Sequence, residues 1–119
     1  MKTPGPDHPI TLTTAPQRMQ AKVAGRVIAD STAAILLAEA NYKPVAYFPR
    51  ADVEMALFTK TARKTVCPYK GEASYYTVTL DGTARENMVW SYEDPYPAMA
   101  AIKGLIAFYP DQAEVSAVA

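Results

Sequence analysis

Tyr75-Tyr76-Thr77-Val78-Thr79-Leu80, then Asp81-Gly82, then Thr83 through Tyr92 is the stretch that decides the fold class. Two runs rich in β-branched and aromatic residues are separated by a dipeptide suited to positive φ at both positions. That combination predicts a hairpin with a tight two-residue turn. Strand alternation places Met88, Trp90 and Tyr92 on one face of the second strand. On the first strand Tyr76 and Val78 share a face, and Tyr75 points the other way.

Outward from this hairpin the body continues to read as β. Met19 to Ala24 and Val27 to Asp30 flank Gly25 as an earlier hairpin, and Val45-Ala46-Tyr47-Phe48 is a strand between Pro44 and Pro49. Leu105 to Tyr109 is a late strand closed by Pro110-Asp111. The segment from Ser31 to Ala40 supports two readings: a capped run of helix formers, or a strand pairing with the preceding hairpin. One short helix is expected near residues 97–103, with Pro97 in its first turn and Gly104 as its stop. Residues 1–16 carry prolines at 4, 6, 9 and 16 and read as an extended leader, with residues 17–119 as a single domain.

The totals exclude whole classes. A chain of 119 residues with half its residues hydrophobic can bury one modest core. Twelve basic and twelve acidic residues leave no excess charge for binding nucleic acid in bulk. The single Cys67 forbids an internal disulfide and suits a reducing, cytoplasmic setting. No apolar run is long enough for a membrane helix, and the first residues do not have the pattern of a secretory signal.

Chemistry concentrates in Cys67-Pro68-Tyr69-Lys70-Gly71-Glu72-Ala73-Ser74-Tyr75-Tyr76, which holds a thiol, an amine, a carboxylate and three phenols. These polar ends need partners or water, so the stretch reads as one wall of a site. A structural zinc site needs four Cys or His ligands, and Cys67 and His8 are the only ones. No metal and no prosthetic cofactor are therefore expected. Catalysis would rest on Cys67 or Lys70 as nucleophile, or on Glu39 as general acid or base, since His8 lies in the leader. The competing role for Cys67 is that of a small buried residue. Asp52 with Glu54, and Glu93 with Asp94, pair carboxylates as nucleotidyl transfer requires, but without a phosphate-gripping glycine loop they read as solvated turns. Lys60, Arg63 and Lys64 read as a polar loop, whereas the proline turn gives Lys70 a fixed direction.

The order of motifs resembles the bacterial family called domain of unknown function 427. The likeness runs from His8-Pro9-Ile10 through Ile28-Ala29-Asp30-Ser31 and Tyr47-Phe48-Pro49 to the Cys67–Gly71 element with Tyr75-Tyr76. It continues with Trp90-Ser91-Tyr92, Pro95 and Pro97, Ile102-Lys103-Gly104 and Ala107-Phe108-Tyr109, covering roughly residues 8–115. The resemblance implies a β-tent, two antiparallel sheets meeting at an angle over a concave mouth. It implies no established activity, although the domain has carried a nucleotidyltransferase label. On this reading the chain binds a small molecule between the sheets. Lys70 would meet an anionic group, Glu39 a donor, and Tyr47, Tyr76, Trp90 and Tyr92 would line the walls. The alternatives are an enzyme at the same mouth and an interaction module acting as a homodimer.

Overall fold

The computed structural model describes residues 1–118. Ten strands succeed one another: β1 (Ile10–Thr14), β2 (Arg18–Val23), β3 (Arg26–Ser31), β4 (Ile35–Glu39), β5 (Val45–Tyr47), β6 (Phe58–Cys67), β7 (Gly71–Leu80), β8 (Thr83–Ser91), β9 (Ala107–Phe108) and β10 (Glu114–Val118). The helical segments among the described residues are short 3₁₀ turns at Arg50–Asp52, Met55–Leu57 and Pro97–Ile102. The fold is mainly β and antiparallel throughout, in three sheets of order β1-β4-β5, β10-β2-β3 and β6-β7-β8-β9.

Two of those sheets are sewn together. Phe48 and Ile106 exchange both backbone hydrogen bonds at 2.8 Å, joining the end of β5 to the residue before β9. The result is one long bent surface facing the smaller β10-β2-β3 sheet. One face of the bend buries Ile28, Phe48, Val78, Val89, Ile106 and Phe108 together with Ala21 and Val23 of β2. The opposite face buries Leu37, Tyr47, Tyr75 and Tyr92 with Met99 and Ile102 of the last 3₁₀ turn. Paired residues show the division. Tyr76 opposite Val89 belongs to the first core, and Tyr75 opposite Trp90 to the second.

The hairpin at Asp81-Gly82 forms as expected, with φ of 51° and 77° at the two turn residues. No atom lies within 4 Å of a Cβ built on Gly82. The cost of Gly82→Val is therefore backbone strain alone, about 1 kcal/mol or more. Thermal denaturation should register it, and an unchanged melting temperature would mean that the turn relaxes freely.

Several expectations need correction. The Ser31–Ala40 segment is a strand at Ile35–Glu39, but it pairs with β1 and β5 rather than with the preceding hairpin. Ser31 explains the detour: its hydroxyl donates to Asp52 at 2.6 Å and accepts the Ala33 N–H at 2.9 Å, turning the chain out of the β2–β3 sheet. Lys60, Arg63 and Lys64 lie on β6, an edge strand, not in a loop. Met88 packs in the core with Val89, not beside Trp90 and Tyr92. The register slips between Tyr76 and Val78, with Asn87 at φ 52°, and this irregularity breaks the alternation. The helix near residues 97–103 is present as a 3₁₀ segment kinked at Met99.

Candidate functional site

The turn from Cys67 to Gly71 joins β6 to β7 and is clamped from two sides. Gly71 sits at φ 112°, and a Cβ there would lie 3.5 Å from the Pro95 Cα. The neighbouring Lys70 carbonyl accepts the Tyr96 N–H at 3.0 Å. From the other side the Pro68 carbonyl accepts the Lys2 N–H at 2.6 Å, so the first residues of the chain cross over the turn.

Held this way, Lys70 points inward and is only 8% exposed. Its amine donates to Glu39 Oε1 at 2.5 Å and lies 3.7 Å from Cys67 Sγ. Glu39, at the end of β4, accepts on its other oxygen from His8 Nε2 at 2.6 Å. The His8 ring stacks on Tyr69 with centroids 4.1 Å apart and planes 11° from parallel. The Ala40 N–H donates to the Pro9 carbonyl at 2.8 Å and fixes this segment against the end of β4. Burial works to raise the Glu39 pKa, but hydrogen bonds from Lys70 and His8 outweigh it and hold the carboxyl below its ordinary value. Glu39 is therefore ionised at neutral pH, with the His8 imidazole on one oxygen and the Lys70 amine, beside the Cys67 sulfur, on the other.

Aromatic rings carry the cluster onward. The Lys70 amine lies 6.0 Å from the centre of the Tyr92 ring, and Tyr92 lies 6.5 Å from Tyr47. The Tyr47 hydroxyl accepts from Trp90 Nε1 at 3.2 Å, and Trp90 packs 4.6 Å from Tyr109. Burial pushes the phenols of Tyr47 and Tyr92 far above their ordinary pKa, so both remain protonated donors rather than bases.

Beyond Trp90 the sheets part. A cleft of about 390 Å³ opens between Met19 of β2, Val115 of β10 and the bent surface carrying Leu36, Ala46, Trp90 and Phe108. Lys43, Pro44, Val45 and Pro110 complete its lining, and Lys43 is the one charged residue there.

Of the residues expected to form one pocket, Glu39, Lys70, Tyr92, Tyr47 and Trp90 thus form a connected series, with Cys67 beside Lys70. Trp90 alone among them lines the cleft; Glu39 and Lys70 engage each other at the far end. Tyr76 lies on the other face, where its hydroxyl donates to Glu93 at 2.6 Å and accepts from Arg50 at 3.2 Å. Sequence reasoning set His8 aside as a leader residue, yet it is a full member of the polar array. The one signal that pointed to it was its place at the start of the motif series.

Three of the four paired carboxylates are engaged in structural contacts. Asp52 accepts from Ser31, Glu54 from Arg26, and Glu93 from Arg50, Lys60 and Tyr76. The basic residues of β6 are partnered too: Lys64 bonds Ser74 at 3.2 Å and Arg63 covers the Tyr75 ring at 4.8 Å. Among the described residues no three His, Cys, Asp or Glu side chains gather as a metal site would require, and no helix is long and apolar enough to cross a membrane.

Burial tends to raise the Glu93 pKa, but its hydrogen bonds from Lys60, Tyr76 and Ser74 bring it down to about 2. A depressed carboxylate stabilises the fold fully above its ordinary value of 4.5, and this contribution disappears as pH falls toward about 2. Glu93→Gln should flatten the acid side of the stability–pH curve in that window. An unchanged curve would show that Glu93 is not held by these partners.

A family model described as a domain of unknown function (DUF427) matches residues 11–119. The chain belongs to the DUF427 family. No curated protein matches it. The DUF427 match begins after His8, so the imidazole that caps the polar array comes from outside the matched region.

Proposed function

We propose that this DUF427 chain is a small-molecule binding domain, with its ligand held in the cleft where the β10-β2-β3 sheet faces the bent one. The cleft carries the reading. It has the volume and predominantly apolar lining of a ligand pocket, and an indole at its wall. The polar array behind it supports the site: the Lys70 amine, held by Glu39, lies over the Tyr92 ring, Tyr92 neighbours Tyr47, and Tyr47 accepts the Trp90 indole N–H. The free Cys67 suits a reducing bacterial cytoplasm as the place of action.

Trp90 is the only tryptophan, so its fluorescence reports the cleft directly. Metabolites co-purifying with the native protein, identified by mass spectrometry, should perturb it when added back. Val115→Phe, on the half-buried face of edge strand β10, should narrow the cleft and weaken that binding at least about tenfold while the fold persists. Binding equal to the wild type in a folded variant would place the ligand elsewhere.

A second reading rests on a separate observation, the Cys67 thiol 3.7 Å from the Lys70 amine. Cysteine enzymes place a cation beside the nucleophilic sulfur, and this pair has that arrangement. Slow alkylation of Cys67, no faster than that of a free thiol and unchanged in Lys70→Met, would remove the basis for a nucleophilic enzyme here.

A further inference from the structure

Resting on the cleft reading above, we propose that the occupant is an amphipathic monoanion: an apolar chain or ring ending in one carboxylate. The apolar part would lie between Met19, Leu36, Trp90, Phe108 and Val115, and the carboxylate would meet the Lys43 ammonium.

Three observations select this class. First, the lining is divided in kind. Nine of its ten residues present hydrocarbon, aromatic or proline surface, and the tenth is a lysine. Second, that lysine is uncommitted. Lys60, Lys64 and Lys70 each have a carboxylate within 4.0 Å, whereas the exposed Lys43 has neither an ion pair nor a side-chain hydrogen bond among the described residues. Pro44 biases the backbone of Lys43 away from the α region, and Lys43 lines the cleft two residues before β5. Third, the polar groups of the wall are already used. Trp90 Nε1 donates to Tyr47, so it is not available to a ligand. A molecule polar at both ends would bury one end without a partner, which is costly.

Size points the same way. At about 30 Å³ for each non-hydrogen atom, water's share of liquid volume, the cleft holds on the order of a dozen such atoms. A medium-chain or arylalkyl carboxylate is of that size. A nucleotide is much larger and would bring several negative charges to a single lysine.

The test is titration of the full chain, followed by Trp90 fluorescence, with decanoate against decanol and phenylbutyrate against phenylbutanol. Each pair shares its apolar part and differs in the charge. Lys43→Ala should weaken both carboxylates about fivefold, as for an exposed ion pair, and leave both alcohols unchanged. Lys43→Arg should restore carboxylate binding. If acids and alcohols bind alike and Lys43→Ala affects neither, the anion assignment is overturned while the apolar cleft stands as a binding site. If none of the four perturbs Trp90, the cleft reading falls together with this inference.

Discussion

Phe48→Ala should destabilise the protein by about 3–5 kcal/mol, the cost of emptying a well-packed phenylalanine site. Phe48 has no solvent exposure, and its ring meets that of Phe108 edge to face at 5.7 Å and 79°. Its backbone makes the bridge to Ile106 that turns two separate sheets into one bent surface. The lost side chain therefore leaves a void at the bend itself, beside the Phe108 wall of the cleft. Domains are stable by only about 5–15 kcal/mol, so the loss is a large fraction of the total. Urea denaturation of the wild type, Phe48→Leu and Phe48→Ala should rank them in that order. A loss below about 1 kcal/mol for Phe48→Ala would mean that the two sheets are not keyed together at this ring.

How much of this was legible beforehand depended on whether one face of a segment is dry. β7 and β8 announce themselves because Asp81-Gly82 marks the turn and both flanking runs are β-formers. β4 was ambiguous because it is the central strand of its sheet. Leu36 packs toward one core and Leu37 toward the other, so the apolar run shows no period of two. β6 failed for the opposite reason: on an edge, with Thr59, Lys60, Ala62, Arg63, Lys64, Thr65 and Val66 all exposed, it carries no alternation to read. The site shows the same split. Tyr47, Trp90 and Tyr92 could be associated through strand parity and motif order. The separation of Tyr76 from them depends on its adjacency to Tyr75, which alternation did assign to opposite faces. His8 was out of reach of pattern reasoning, because its partner Glu39 lies 31 residues away and its position depends on the strap across Pro68 and Ala40. The resemblance led to the expectation of a mouth between the sheets, but apart from Trp90 the residues lining this cleft were not legible, since it is bounded by β10, a strand with only weak signals of its own.

Glu39→Ala should cost about 3 kcal/mol, and far more than Lys70→Met, although the two changes break the same ion pair. Removing Glu39 leaves the Lys70 ammonium in a site only 8% exposed, where among the described residues only the Cys67 sulfur and the face of the Tyr92 ring remain beside it. An uncompensated buried charge of this kind accounts for most of the cost of breaking such pairs. Removing the amine is milder, because Glu39 keeps His8 and methionine fills the lysine's apolar volume. The double variant Glu39→Leu/Lys70→Met should recover much of the loss, since an apolar pair of similar volume has no charge to desolvate. The same contacts set a pH dependence. Because the folded Glu39 carboxyl titrates below its ordinary 4.5, its contribution is present above that value and is lost as pH falls through the lower, folded pKa. The wild type and Glu39→Ala should therefore differ most near neutrality and converge in acid. Denaturation curves of the three variants at about pH 7, repeated in acid, separate the possibilities. Equal losses for Glu39→Ala and Lys70→Met would show that neither charge is effectively buried. The array would then be a hydrated surface contact, with no part in holding Tyr92, Tyr47 and Trp90 behind the cleft.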